Sequence, residues 1–233
     1  MASSLSTTLK SICFPVPRPY YPPSAKMKPP IPKNEAQRIK VLWQYEILDT
    51  VPEEVFDDLT ELAARICEAP IALITLVDEN RQWFKSKVGV TINETSRDIS
   101  FCSHAIEHSD LFIVPDATLD KRFAKNPLVT SDPKIRFYAG APLITPDGYA
   151  LGTLCVIYKV PRELRPDQKQ ALRVLARHVM TQLELRRHSR ELARAQKERE
   201  EIQSELKKAH AELAKVRREL ERHKSKAPFR RRA

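Results

Sequence analysis

Between Ile135 and Tyr158 two apolar stretches flank the polar step Thr145-Pro146-Asp147-Gly148. Proline presets φ near about −65°, Asp tolerates tight turns and Gly148 can take the positive φ that a chain reversal needs, so the segment predicts a β-hairpin. On its first strand Ile135, Phe137, Ala139, Ala141 and Leu143 share one face, while Tyr138, Gly140, Pro142 and Ile144 share the other with Arg136. Both faces are mostly apolar, whereas a sheet open to water on one side alternates more cleanly. The hairpin is therefore expected to be covered twice, by helices on one face and by loops closing a cavity on the other. Gly140 and Gly152 mark places where backbone or a ligand comes close.

The rest of the chain can be placed around that hairpin. From Asn34 to Leu48, Ile39, Leu42, Trp43 and Ile47 recur at helical spacing, with Asn34 as a cap; after Pro52, Val55, Leu59, Leu62 and Ile66 do the same. Ile71 to Val77 is rich in β-branched residues and reads as a buried strand. It turns at Asp78-Glu79-Asn80 into a second strand, Arg81 to Val88, which carries Trp83 and Phe84. Asp98 to His108 reads as a short helix, Leu111 to Val114 as a brief strand, and Pro115 to Pro133 as a long irregular connection of the kind that often carries function. A last helix starts at Pro166 with Leu172, Leu175, Val179 and Leu183 on one side, and neither proline nor glycine interrupts it before Pro228.

Heptad spacing explains why that helix continues. Leu185, Leu192, Arg199, Leu206, Leu213 and Leu220 fall at position a, and Ile202 and Val216 join His188, Ala195, Ala209 and His223 at d. Residues 191, 198, 205, 212 and 219, at g, are all Glu and can pair with Gln196, Gln203, His210 and Arg217 at e of a parallel partner. The pattern predicts a parallel dimeric coiled coil over residues 185–226. Arg199 at a and the alanines at d make its seam marginal.

Charge changes the picture only at the ends. The 233-residue chain is +10, but the Pro/Ser-rich leader (residues 1–33) and everything after residue 184 are strongly basic, which leaves the central part acidic. Net charge thus gives no support for nucleic-acid binding by the domain, and the leader and the 227–233 tail read as disordered, solvated segments. The leader is also Ser-rich and free of acids, a property shared with organelle transit peptides. The four cysteines, Cys13, Cys67, Cys102 and Cys155, are widely spaced and read as reduced intracellular thiols. No apolar run approaches the roughly 20 residues needed to cross a bilayer, so the expectation is a soluble, cytoplasmic protein.

The segments IALITLVDENRQWFKS, SRDISFCSHAI, VPDATLDKRFAKNPLV, IRFYAGAPL and YALGTLCVIYKVPREL, in this order, resemble the GAF family of sensory domains found ahead of bacterial histidine kinases and diguanylate cyclases. The resemblance covers roughly residues 34–187. It implies an α+β fold with a central antiparallel sheet of five or six strands, helices on one face and a ligand cavity on the other. It further implies an exit helix that passes a signal through a dimeric coil, in the setting of a two-component system, to a partner histidine kinase or diguanylate cyclase. Two patterns of the family are absent: the Asn-Lys-Phe-Asp-Glu signature of cyclic-nucleotide-binding members, and the Cys-His step to which bilins attach, here Cys102-Ser103-His104. No kinase or cyclase sequence follows the coil.

A candidate pocket follows: Trp83, Phe101, Cys102, His104, Asp116, Phe123, Arg136 and Tyr138. Cys102 and His104 suggest a nucleophile and base, but two residues apart on a helix they point to nearly opposite sides, and Cys102 reads more simply as a small buried residue. The same two residues are too few for zinc. The charge of Arg136 must find a carboxylate, such as Asp116, or a bound anion. The reading is a non-catalytic small-molecule sensor with an unnamed ligand, an unknown cofactor and no metal. Alternatives are a scaffold whose pocket stays empty, or a thiol-dependent free methionine sulfoxide reductase drawing on Cys67, Cys102 and Cys155.

Overall fold

The computed structural model describes residues 29–226, so most of the leader, Cys13 and the 227–233 tail lie outside the described residues. Helices α1 (Glu35–Gln44) and α2 (Glu54–Cys67) precede strands β1 (Ile71–Val77), β2 (Arg81–Val88) and β3 (Glu94–Ser96). A 3-10 turn, Arg97–Ile99, leads to α3 (Cys102–Ala105), β4 (Phe112–Val114), α4 (Pro127–Thr130), β5 (Phe137–Ile144), β6 (Ala150–Tyr158) and the long α5 (Pro166–Lys226). The six strands form one sheet in the order β3-β2-β1-β6-β5-β4, with every neighbouring pair antiparallel. The expected α+β class holds.

Both faces of the sheet are covered because its central strands are apolar on both. Ala72, Ile74, Leu76, Phe137, Ala139, Leu143, Leu154 and Val156 pack under α1, α2 and the start of α5. Ile71, Leu73, Phe84, Tyr138, Cys155 and Ile157 face the other way, against α3, α4 and the loops around them. The β5–β6 turn closes as its sequence dictates: Gly148 sits at φ +86°, its N–H donates to the Thr145 carbonyl at 2.9 Å, and Tyr149 N–H donates to Thr145 Oγ1 at 3.0 Å. Gly152 is needed for a different reason. A Cβ there would stand 1.8 Å from the Thr75 carbonyl oxygen on β1.

Three local expectations are corrected. The buried face of α2 is Phe56, Thr60, Ala63 and Cys67, while Val55 and Leu62 are exposed; the apolar set chosen from spacing lies to one side of the true seam. Trp43, expected on the buried face of α1, is also exposed, and Ile47 lies past the end of that helix, although it is buried. The helix expected over 98–108 is broken at Ser100, which is extended at ψ 127° while its Oγ accepts from Ser103 N–H at 3.1 Å. Within the 115–133 connection, α4 is started by Asn126, whose side chain accepts from Leu128 N–H at 2.9 Å and donates to the Ile99 carbonyl at 2.9 Å.

Among the described residues no helix is long and apolar enough to cross a membrane.

Candidate functional site

The covered face away from the long helices encloses a cavity of about 60 Å³. Its floor is the sheet, through Ile71, Leu73, Phe84 and Ile157; its roof is Phe101, Leu128 and Ile135; and its outer wall is Val90, Ile92 and Pro133, which are partly exposed. No charged side chain lines it. Polar groups are few and specific. Gln82 accepts a short hydrogen bond from Ser100 Oγ at its carbonyl oxygen, which leaves its NH₂ donors over. Thr95, buried, has a hydroxyl with no partner among the described residues. Cys102 Sγ accepts from Tyr138 Oη and from Thr153 Oγ1, each at 3.1 Å. A volume of this size holds a few waters or a molecule of several heavy atoms, since one water needs only about 10–15 Å³ on this measure.

Tyr138 reaches Cys102 because Gly140 makes room. A Cβ at Gly140 would stand 2.2 Å from the Tyr138 hydroxyl, so the phenol lies along the sheet over the glycine. Burial, followed by the neighbouring thiols, pushes the Tyr138 hydroxyl well up, and it stays protonated as a donor.

Of the residues singled out from the sequence, Phe101, Cys102 and Tyr138 line this cavity. Phe123 stands behind it, stacked on Phe101 at 4.0 Å between ring centroids. His104 packs edge-on against Phe123 at 4.8 Å, and burial, then the Arg122 charge, takes it down to about 4, so it is neutral near pH 7. Trp83 is a correction: strand parity sends it to the opposite face, into the core under the helices. The Asp116–Arg136 pairing is another. Arg136 Nη1 donates to the carbonyls of Val129 at 2.9 Å and Ile135 at 3.1 Å, and Asp116 accepts from Thr118 N–H and Oγ1. The loop geometry gives both groups nearer partners than each other, and neither lines the cavity. Gln82 and Thr95 were not singled out; a glutamine at an inward position of β2 was the one legible hint.

The other face ties the cavity region to α5. Lys85 follows the cavity residue Phe84 and has a fully buried side chain, whose Nζ donates to Glu53 at 2.6 Å, the Val51 carbonyl at 2.8 Å and Thr50 Oγ1 at 3.0 Å. Glu53 also accepts from Arg186 Nε on α5 at 3.0 Å. Burial raises the Glu53 carboxyl, but Lys85 and Arg186 outweigh it and hold it below its ordinary value. Arg186 Nη1 donates to the Glu46 carbonyl at 3.0 Å, and Arg190 and Arg194 pair with the Glu46 carboxylate at 2.5 and 2.7 Å. Beyond this clasp the heptad residues Leu185, Leu192, Ile202, Leu206, Leu213, Val216 and Leu220 are between 53 and 70% exposed, and Arg199 is exposed with them.

Among the described residues no cluster of His, Cys, Asp and Glu suits a metal ion. A family model described as GAF domain matches residues 51–183, and the chain belongs to the GAF domain family. Over 156 residues it is 44% identical to a cyclic di-GMP phosphodiesterase of Pseudomonas aeruginosa; the match covers 66% of this chain, which spans 27% of the length of that relative. Among solved structures it is similar to the GAF domain of an Acinetobacter phosphoenolpyruvate-protein phosphotransferase, at 16% identity and a TM-score of 0.49, over 65% of this chain and 93% of that one. It is similar also to the GAF domain of a phosphoenolpyruvate-protein phosphotransferase from Coxiella burnetii, at 16% identity and a TM-score of 0.48, over 67% and 98%.

Proposed function

We propose that this GAF domain, over residues 34–184, is a non-catalytic sensor of a small molecule and that residues 185–226 form a parallel homodimeric coiled coil biased by that ligand. The observation that carries the reading is the enclosed, uncharged cavity with an unpartnered Thr95 hydroxyl at its wall. A ligand suited to it is small, uncharged and largely apolar, with an oxygen able to meet the Thr95 hydroxyl and the Gln82 amide. Nucleotides and other multiply charged molecules do not suit a cavity of about 60 Å³ without a basic side chain.

For a ligand to signal it must favour one arrangement of the coil over another. The run Phe84, Lys85, Glu53, Arg186 supports a physical route, since it joins the cavity floor to α5 through contacts of 3.0 Å or less. The exposed heptad stripe supports a second copy as its cover, because each exposed leucine there gains about 1–2 kcal/mol on burial. The partner output is a histidine kinase, a diguanylate cyclase or, given the relative named above, a cyclic di-GMP phosphodiesterase. Three free, buried thiols fit a reducing cytoplasm. The smallness of the cavity favours one second reading, a scaffold whose pocket stays empty.

Native mass spectrometry of the purified protein at near-neutral pH tests this. A dimer carrying an added small mass is the expected result. A bare dimer moves the reading to the scaffold, and a monomer overturns the coiled coil.

A further inference from the structure

Residues 53 positions apart in sequence put two sulfurs side by side: Cys102 Sγ at the first turn of α3 stands 3.9 Å from Cys155 Sγ on β6. Cys102 is 1% and Cys155 0% exposed, and Cys102 also forms part of the cavity wall. The surroundings of the two sulfurs differ. Cys102 receives Tyr138 Oη and Thr153 Oγ1 at 3.1 Å each, with Thr75 Oγ1 3.2 Å behind Thr153, and the Cys155 sulfur stands beside it at 3.9 Å. A neutral thiol sulfur is a weak acceptor. Several donors converging on one sulfur in an apolar site are the arrangement that stabilises a thiolate.

The proton balance follows the same asymmetry. Burial pushes both thiols up; at Cys102 the hydrogen bonds from Cys155, Thr153, Thr75 and Tyr138 outweigh it and hold the group below its ordinary value, whereas Cys155 stays well above its own. One sulfur is thus prepared as a nucleophile and its neighbour keeps its proton. The cavity beside Cys102 has room for a molecule of two heavy atoms, and Val90, Ile92 and Pro133 are its partly exposed wall.

We propose that Cys102 and Cys155 form a peroxide-oxidised dithiol, with Cys102 as the attacking sulfur and Cys155 as the resolving one. The Cys102 thiolate attacks one oxygen of hydrogen peroxide; an S–O bond forms, the O–O bond breaks, and the departing hydroxide takes up a proton as water. The Cys155 sulfur then attacks the Cys102 sulfur. An S–S bond forms, the S–OH bond breaks, and the second hydroxide leaves as water with the Cys155 proton. The two sulfurs lose two electrons and the peroxide gains them. Because a disulfide is about 2.0 Å long, the sulfurs must close about half of their present 3.9 Å separation, which draws α3 toward β6 and moves Cys102 relative to Tyr138 and Thr153. The inner wall of the cavity is thereby rebuilt.

Cys67 supplies an internal control. It is also 0% exposed, but it lies in the core under the helices, and burial pushes it up to about 11. The experiment treats the folded full chain, with Cys13 replaced in a C13S background, with a modest excess of hydrogen peroxide. It is then unfolded in N-ethylmaleimide, and its peptides are mapped. The expected result is loss of two of the three alkylation sites, a linked Cys102–Cys155 peptide that dithiothreitol releases, and a rate roughly tenfold or more above that of Cys67. In C155S, dimedone should label Cys102 as a sulfenic acid. Full alkylation of Cys102 and Cys155 after treatment, or loss of all three sites together, overturns the proposal. The C13S map decides it even where C155S fails to fold.

Discussion

Replacing Glu35 by glutamine removes one negative charge from between two buried arginines and leaves the shape almost unchanged. Arg38, 1% exposed, donates to Glu35 through Nε at 2.8 Å and Nη2 at 2.7 Å, and Arg97 Nη1 donates to it at 2.6 Å. Burial raises the Glu35 carboxyl, yet the two guanidiniums outweigh it and take the group from 4.5 to about 2. Taken whole, a fall of that size corresponds to about 3 kcal/mol. The Glu35 side chain is 17% exposed and both arginines keep backbone carbonyl partners, so we expect E35Q to lose about 2 kcal/mol. For a domain of this size that is a drop in Tm of about 4–8 °C.

The assay is urea denaturation of wild type and E35Q at one protein concentration, first at neutral pH and then in a descending pH series. The sign is fixed by the shift: a carboxyl lowered on folding contributes stability that is present above its unfolded value and lost as pH falls through the folded one. The gap between the two proteins should therefore be full at neutral pH and close between about pH 5 and about pH 2. A gap that stays constant into acid, or an E35Q protein as stable as wild type at neutral pH, would refute the reasoning that charge holds this cluster together.

Thr95→Val replaces a buried hydroxyl that has no partner by a methyl of the same shape, and should stabilise the ligand-free protein by about 1 kcal/mol in the same assay; a loss would mean that the hydroxyl is satisfied by a retained molecule. Arg199→Leu, at a seam position, should raise Tm and the dimer fraction by sedimentation, gaining about 1–2 kcal/mol per chain. No change in either would mean that the heptad register is wrongly assigned.

The sheet was legible because its cues are local. Ile71 to Val77 is β-branched and the 145–148 step contains its own turn chemistry, so β1, β5 and β6 follow from short windows. The long helix was equally plain, and its buried start, Leu172, Leu175, Val179 and Leu183, packs as spacing predicts. The site was legible only in part. Trp83 and Phe84 look alike in sequence, but parity sends one under the helices and the other to the cavity. Nothing in the wording of β2 marks Lys85 as buried, because its counter-charge comes from Glu53, 32 residues earlier. The Cys102–Cys155 proximity depends on where α3 sits over β6, which spacing along the chain cannot report.

Arg186, Arg190 and Arg194 recur every four residues on α5. At about 100° per residue, they lie on the side of the helix opposite Leu185 and Leu192. In a dimer of the proposed kind each domain would then ride on the outer flank of its own helix, back to back with its twin across the coil. The two cavities would fill independently, with no shared wall through which one occupant could sense the other. Whatever each domain registers would have to be delivered as torsion of its own helix, and the seam would be where two separate readings are compared.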